Sequence, residues 1–308
     1  MPYVLAVDQG TSSSRALVFD TSGAVVGVGQ RDFDSTFPAD GWVEQDPEVI
    51  WRTTVDAVRD ALAASGVAAG DIAAMGIANQ RETTVVWDVQ TGQAIHPAIV
   101  WQDRRTADRC ADMVAEGVEA GIRDVTGLVV DPYFSSTKLA WLLERDGVRA
   151  AARAGRLCFG TIDSFLIWRF TGGQRHCTDA TNASRTQLYD LAHHAWNDTL
   201  LDYFDIPVAL LPEVKDCVDD FGVCDASHFG AAIPIRGVAG DQQAALVGQG
   251  CLRPGMTKST YGTGCFLMTN TGPAKLASDA RLLTTVGYRL GGETTFALEG
   301  SIFVAGVA

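Results

Sequence analysis

The chain has 308 residues, 47% of them hydrophobic and 20% charged, a globular composition that excludes a disordered, collagenous or coiled-coil protein. Its 24 Lys and Arg stand against 37 Asp and Glu for a net charge of −13. Nucleic acid and anionic membrane surfaces are held by clustered basic side chains, so this balance argues against both as partners.

The length predicts two domains. Seven cysteines with no CxxC pair fit a reducing cytosol better than a disulfide framework or zinc site. The opening residues, Met1 to Gly10, have neither the basic nor the apolar region of a signal peptide. No apolar run reaches the length of a membrane helix. The expectation is a soluble, cytoplasmic protein.

In chain order, Val4–Val7 predicts a strand ending at Asp8, followed by a polar loop from Gln9 to Arg15. A second strand follows at Ala16–Asp20, and a third from Ala24 to Gly29 after the turn Thr21-Ser22-Gly23. Asp46-Pro47 signals a helix start. Trp51, Val55, Val58 and Leu62 then share one helical face. Ile72–Ala78 reads as a strand running into Asn79-Gln80-Arg81-Glu82, and Thr84–Asp88 as another. Leu139–Leu143 and Asp163–Phe170 read as short buried helices. Gly237–Gly240 is a strand ending at Asp241, with helical character from Gln242 to Val247. Ser259–Tyr261 and Cys265–Met268 form a second hairpin around Gly262-Thr263-Gly264. The order predicts an α/β fold with a mixed sheet flanked by helices. The repeated hairpin suggests two halves, residues 1–248 and 249–308, the second only begun.

Several clusters suit chemistry. Between Asp8 and Arg15, a close-approach glycine, hydroxyls and a guanidinium suit phosphate oxygens, and Asp8 suits Mg²⁺; a plain polar hairpin is the alternative. Asp241 is either a helix N-cap or a base for a substrate hydroxyl. Arg81-Glu82 is either a polyol donor–acceptor pair or an exposed strand end. Trp101, Tyr133 and Phe134 are either core or ligand wall. The five histidines lack metal-ligand spacing. Gly250 and Gly255 have P-loop spacing, but Met256 stands where Lys is required, and Gly262-Thr263-Gly264 lacks the third glycine of a dinucleotide fingerprint.

The segments Asp8-Gln9-Gly10-Thr11, Gly41-Trp42-Val43-Glu44-Gln45-Asp46-Pro47, Asn79-Gln80-Arg81-Glu82, Trp101-Gln102-Asp103-Arg104-Arg105, Asp131-Pro132-Tyr133-Phe134, Thr181-Asn182-Ala183-Ser184-Arg185, Gly240-Asp241-Gln242-Gln243 and Thr260-Tyr261-Gly262-Thr263-Gly264-Cys265-Phe266 together resemble the FGGY carbohydrate kinase family. Arg81-Glu82 and Tyr133 point to its glycerol-phosphorylating members. The resemblance runs from residue 4 to the end. It implies an actin-like ATPase (ribonuclease H-like) fold of two domains closing on a cleft, and transfer of the ATP γ-phosphate to glycerol, giving sn-glycerol 3-phosphate and ADP. It assigns ATP contacts to Thr11, Ser12, Ser13, Arg15, Thr263 and Gly306. It places glycerol among Arg81, Glu82, Tyr133, Asp241 and Gln242, with Trp101 and Phe266 as apolar walls. Asp241 is the implied base, and Asp8 with Asp241 the implied Mg²⁺ site.

Members of that family are much longer, which implies that most of the nucleotide-binding domain is missing. The expectations are weak ATP binding, slow or no turnover by this chain alone, and aggregation through unpaired apolar strands after residue 259. A homo-oligomer is implied for the full length. Val223–Ile233 does not match the glycine-rich loop that binds fructose 1,6-bisphosphate in some members. His228-Phe229-Gly230 matches part of a segment phosphorylated by the phosphocarrier HPr, without its Tyr; a surface-loop histidine is the alternative. Another FGGY sugar or polyol kinase, a glycerol-binding module without turnover, and an actin-like or chaperone-like ATPase are the competing readings.

Overall fold

The structure, a computed structural model, describes residues 2–261 and 264–302. Thr263 and Gly306, both expected at the nucleotide, lie outside the described residues.

The chain opens with the predicted meander, β1 (Tyr3–Gln9), β2 (Ser13–Phe19) and β3 (Val25–Asp32). The strands pair antiparallel, with Asp8 opposite Arg15 and Ser13 opposite Asp32. The polar connection is therefore Gly10–Ser12, shorter than the loop expected to reach Arg15. Ser14, Ala16 and Val18 are buried in alternation, and this period of two carries the strand back to Ser13.

Helix α1 (Pro47–Ser65) begins as expected: Asp46 is the N-cap and accepts the Glu48 N–H at 2.9 Å, with Pro47 at the first helical position. It buries Ile50, Val55, Val58 and Ala61 against β2 and β3. Each such large aliphatic side chain contributes about 1.5–3 kcal/mol.

The chain returns as β4 (Ile72–Asn79), parallel to β1. Helices α2 (Ser135–Leu143) and α3 (Ile162–Phe170) follow. Strand β5 (Ile233–Gly240) then lies parallel to β4. With the short edge strand Val223–Cys224, this makes a six-stranded mixed sheet in which β5, β4, β1, β2 and β3 are successive neighbours. That is the ribonuclease H-like sheet of actin-like ATPases. Its consequence is local: β1, β4 and β5 run the same way, so Gln9, Asn79 and Gly240 end in register at one edge.

Helix α4 (Asp241–Gly248) leads into a second sheet of β6 (Thr257–Tyr261), β7 (Cys265–Gly272), β8 (Leu283–Leu290) and β9 (Glu293–Ile302). These four pair antiparallel in the order β6-β7-β9-β8, so the strands after residue 259 are not unpaired. Their alternation supplies an apolar face, and that face finds cover. Val286 and Phe296 pack with Ala180 and Tyr189, and Met268 and Ala297 with Leu246. All seven cysteines are free. Among the described residues no helix is long and apolar enough to cross a membrane.

Behind the sheet edge, Asp163 is fully buried and accepts from Thr161 Oγ1 and, at 2.6 Å, from Thr178 Oγ1. Burial, then the neighbouring Asp179, pushes its carboxyl up to about 7. The folded state therefore holds a proton that the unfolded state releases near the ordinary carboxylate range. Stability from this group is full in acid and is lost as pH rises through about 7. Asp163→Asn should shrink the drop in melting temperature between pH 5.5 and 8.5; an unchanged drop contradicts the assignment.

Candidate active site

Ligands of parallel sheets bind beyond the carboxyl ends of the strands, and the expected residues converge there. Asp8 is at the end of β1, Gln80-Arg81-Glu82 follow β4, and Asp241 follows β5. The ends of β4 and β5 are clamped from one segment. Asn182 and Asn79 exchange two amide hydrogen bonds of 3.0 Å, and Thr181 Oγ1 accepts the Gly240 N–H at 2.9 Å. The hairpin is clamped through amides as well. Gln80 donates to Gln9 and Gln45, and Gln45 donates to the Thr11 carbonyl at 2.7 Å.

Arg81 and Glu82 are 3% and 1% exposed, which overturns the exposed strand end. Glu82 takes φ +60°, a left-handed conformation costly for a residue with a Cβ. Its carbonyl is over-determined by donors: Thr84 Oγ1 at 3.1 Å, Ser135 Oγ at 3.1 Å and Lys138 Nζ at 3.3 Å. Asp241 is the first residue of α4, and the N-cap position belongs to Gly240, so its carboxylate is not the cap. It accepts the Gln242 N–H at 2.7 Å and keeps about a third of its side chain exposed.

A cavity of about 200 Å³ brings together Arg81, Glu82, Tyr133, Asp241 and Gln242, with Trp101 and Phe266 also in its wall. The last two rings meet edge to face at 5.9 Å. Thr11 and Ser12 also line it, and Trp101 Nε1 donates to Thr11 Oγ1 at 2.9 Å. Phe134 is core, 1% exposed. Ser13 and Arg15 are not brought to the cavity. Both belong to β2, where Arg15 donates to Gln30 at 3.0 Å.

The electrostatics separate the roles. Burial pushes the Asp241 carboxyl up, against the pull of Arg81, whose Nε is 3.4 Å away. Burial also raises the Glu82 carboxyl and holds the Tyr133 phenol neutral, well above its ordinary value. Lys258 can only donate; it donates to Gln242 Oε1 and, at 2.9 Å, to Thr260 Oγ1. The Gln242 amide therefore turns its NH₂ toward Asp241, 3.2 Å away.

Gly240 is required here. A Cβ on it would lie 2.7 Å from Arg81 Cδ and 2.9 Å from Gln243 Oε1. Gly240→Ala should displace Arg81 and weaken a ligand that Arg81 holds in the cavity about tenfold, a cost of about 1.4 kcal/mol. Titration calorimetry of the variant checks this; unaltered affinity contradicts it.

Comparison with known proteins bears on this geometry. Residues 3–248 match the FGGY family of carbohydrate kinases, N-terminal domain. The chain belongs to the FGGY family of carbohydrate kinases. Curated relatives include a glycerol kinase of Rhizobium meliloti, 62% identical over 99% of this chain and 62% of the relative. A glycerol kinase of Allorhizobium ampelinum is 59% identical over the same shares. The crystal structure of Plasmodium falciparum glycerol kinase with ADP superposes with a TM-score of 0.94 at 33% identity, covering 98% of this chain and 61% of that one. This FGGY kinase chain thus spans about three-fifths of the length of those relatives.

Four residues of this FGGY kinase site escaped the sequence reading: Gln45, Arg185, Lys258 and Glu299. Gln45 and Arg185 stood inside motif segments without a role. Glu299 is a lone carboxylate in the strand Phe296-Ala297-Leu298-Glu299-Gly300, and a charge at an inward position is its only sequence signal. Its Oε2 accepts Arg81 Nη1 at 2.6 Å and its Oε1 accepts Arg185 Nη2 at 3.1 Å. His228 lies on the short helical turn Ala226–Phe229, its ring edge-on to Trp51 at 5.1 Å.

The chemistry of Asp8 and Asp241 fits Mg²⁺. Burial raises both carboxyls, and each feels repulsion or attraction from its neighbours: Asp8 from Arg15, Asp241 from Arg81 and from Asp8 itself. Mg²⁺ is commonly held by one or two carboxylates, with phosphate oxygens and water completing the shell.

Proposed function

We propose that this chain carries the polyol half of an ATP-dependent glycerol kinase, which transfers the γ-phosphate to glycerol to give sn-glycerol 3-phosphate and ADP. The observation that carries the reading is the cavity of about 200 Å³, which Arg81, Glu82, Asp241 and Gln242 line together with the Trp101 and Phe266 rings. Its volume is below the range of about 300–1,000 Å³ for drug-sized ligands and suits a three-carbon molecule. Arg81 and the Gln242 NH₂ supply donors, Glu82 and Asp241 acceptors, and the rings cover the carbon chain.

Asp241 accepts the proton of the attacking hydroxyl. The hydroxyl oxygen bonds to the γ-phosphorus as the bridging P–O bond breaks and its electron pair leaves on ADP. Mg²⁺ held by Asp8 and Asp241 supplies charge neutralisation at the phosphates when bound. Phosphoryl transfer otherwise asks mostly for positioning. Thr11 and Ser12, in the cavity wall, face the phosphates in this reading.

The test is substrate discrimination. Glycerol should bind and propane-1,2-diol should be rejected by about 10²-fold or more, because the missing hydroxyl leaves buried partners unpaired. Equal binding of the two, or preference for xylulose or erythritol, contradicts the reading and favours another FGGY kinase. Control of the enzyme by HPr is a separate proposal. Mass spectrometry after incubation with phosphorylated HPr decides it, and an unmodified His228 leaves it a half-buried packing residue against Trp51.

A further inference from the structure

Two side chains outside the cavity wall grip two that form it. Arg185 and Glu299 are 0% and 1% exposed and take no part in lining the cavity. Glu299 receives the Arg81 fork in two bonds, 2.6 Å from Nη1 and 3.0 Å from Nη2. It also accepts from Arg185 Nη2 at 3.1 Å and Ser301 Oγ at 3.0 Å. Arg185 Nε donates to Glu82 Oε1 at 2.6 Å, and Arg81 Nε lies 3.9 Å from that same oxygen. The four charges alternate around a closed ring, Arg81, Glu299, Arg185, Glu82.

We propose that Arg185 and Glu299 are positioning residues for polyol recognition, holding the Arg81 guanidinium and the Glu82 carboxylate in their places in the cavity wall. The inference rests on the polyol reading above. The physical reason is competition for Arg81. Its other carboxylate neighbours are Asp241, 3.4 Å from Nε, and Glu82, 3.9 Å from it and already held by Arg185. Glu299 occupies both terminal nitrogens and so keeps the fork from closing on the base. Without that bidentate partner, a buried guanidinium turns to Asp241, the nearer of the two, which removes a donor from the polyol and ties up the base in a closer ion pair. Arg185 does the equivalent for Glu82, whose buried charge needs a fixed cationic partner. Burial tends to raise the Glu299 carboxyl, but Arg185 and Arg81 outweigh it and hold it at about 2, so Glu299 keeps the charge that binds the two guanidinium groups. Glu299 stands on β9 of the second sheet. The polyol site is therefore complete only with that sheet seated against residues that precede it by some two-thirds of the chain.

The experiment compares affinities for glycerol and for propane-1,2-diol by calorimetry in the 308-residue chain, unaltered and as Glu299→Gln and Arg185→Lys. Glu299→Gln keeps the shape and drops the charge; Arg185→Lys keeps the charge and drops the fork. Each should lower the preference for glycerol over the diol by about tenfold, one hydrogen bond to a charged group. An ion ring that serves only stability would leave the preference intact, so unchanged preference, or equal weakening of both ligands, overturns the proposal. If Glu299→Gln does not fold, Ser301→Ala decides, because it removes one donor from Glu299 outside the cavity. A preference lowered about threefold, a fraction of one such bond, supports the proposal, and an unchanged one overturns it. An unaltered chain that binds no glycerol overturns the polyol reading, and this inference with it.

Discussion

Asp241→Asn is expected to lower glycerol-dependent ADP release by about 10²-fold or more, the usual cost of removing a positioned base. The amide keeps the size of the side chain and its place at the head of α4 but cannot take the proton of the attacking hydroxyl. Glycerol affinity should change far less, because Arg81 keeps Glu299, Glu82 keeps Arg185 and Gln242 keeps Lys258. The comparison is made in a chain extended to the full length of its relatives, where turnover is not limited by the nucleotide half. A loss below threefold removes Asp241 from the role of base. A large loss of affinity with unchanged turnover makes it a binding residue only.

Gly29→Ala is expected to be the most damaging small substitution in the first sheet. A Cβ at this position would lie 2.1 Å from the Ala57 carbonyl oxygen and 2.8 Å from the Ala61 nitrogen. Both are backbone atoms of α1, so no side chain can swing away, and helix and strand must separate along a seam that also buries Ile50, Val58 and Ala61. Overpacking a tight core costs about 1–3 kcal/mol and occasionally more, and a backbone obstacle puts this case at about 3 kcal/mol or above. The melting midpoint should fall by about 5 °C or more. Gly121→Ala is the matched control: it is exposed, its added Cβ meets nothing within 4 Å, and alanine favours its helix by up to about 1 kcal/mol. Equal midpoints for the two variants would contradict the close-approach argument.

What the sequence made legible was local. Asp46-Pro47 marks a helix start through cap chemistry that needs no tertiary partner. Asp8, Arg81 and Asp241 each follow an apolar strand, and parallel pairing of those strands is enough to bring them together. What stayed hidden depends on contacts between distant segments. Arg81 and Glu299 are 218 positions apart, and no periodicity names one as the partner of the other. The bland reading of Gln80-Arg81-Glu82 as an exposed strand end failed for the same reason: a charged run is usually solvated, and here two buried partners, Arg185 and Glu299, make burial tolerable. The polar loop was read as far as Arg15 from its residue types, whereas the alternation through Ser14, Ala16 and Val18 starts β2 at Ser13. The strands after residue 259 looked unpaired because their partners lie within the same segment, and their cover, Ala180 and Tyr189, far before it.

The central claim is that the cavity at the ends of β1, β4 and β5 recognises glycerol through Arg81. Isothermal titration of glycerol into the 308-residue chain and its Arg81→Ala variant tests it most directly. Saturable one-to-one binding that is lost in the variant is the predicted result. No binding by the unaltered chain, or binding that survives Arg81→Ala undiminished, would contradict it.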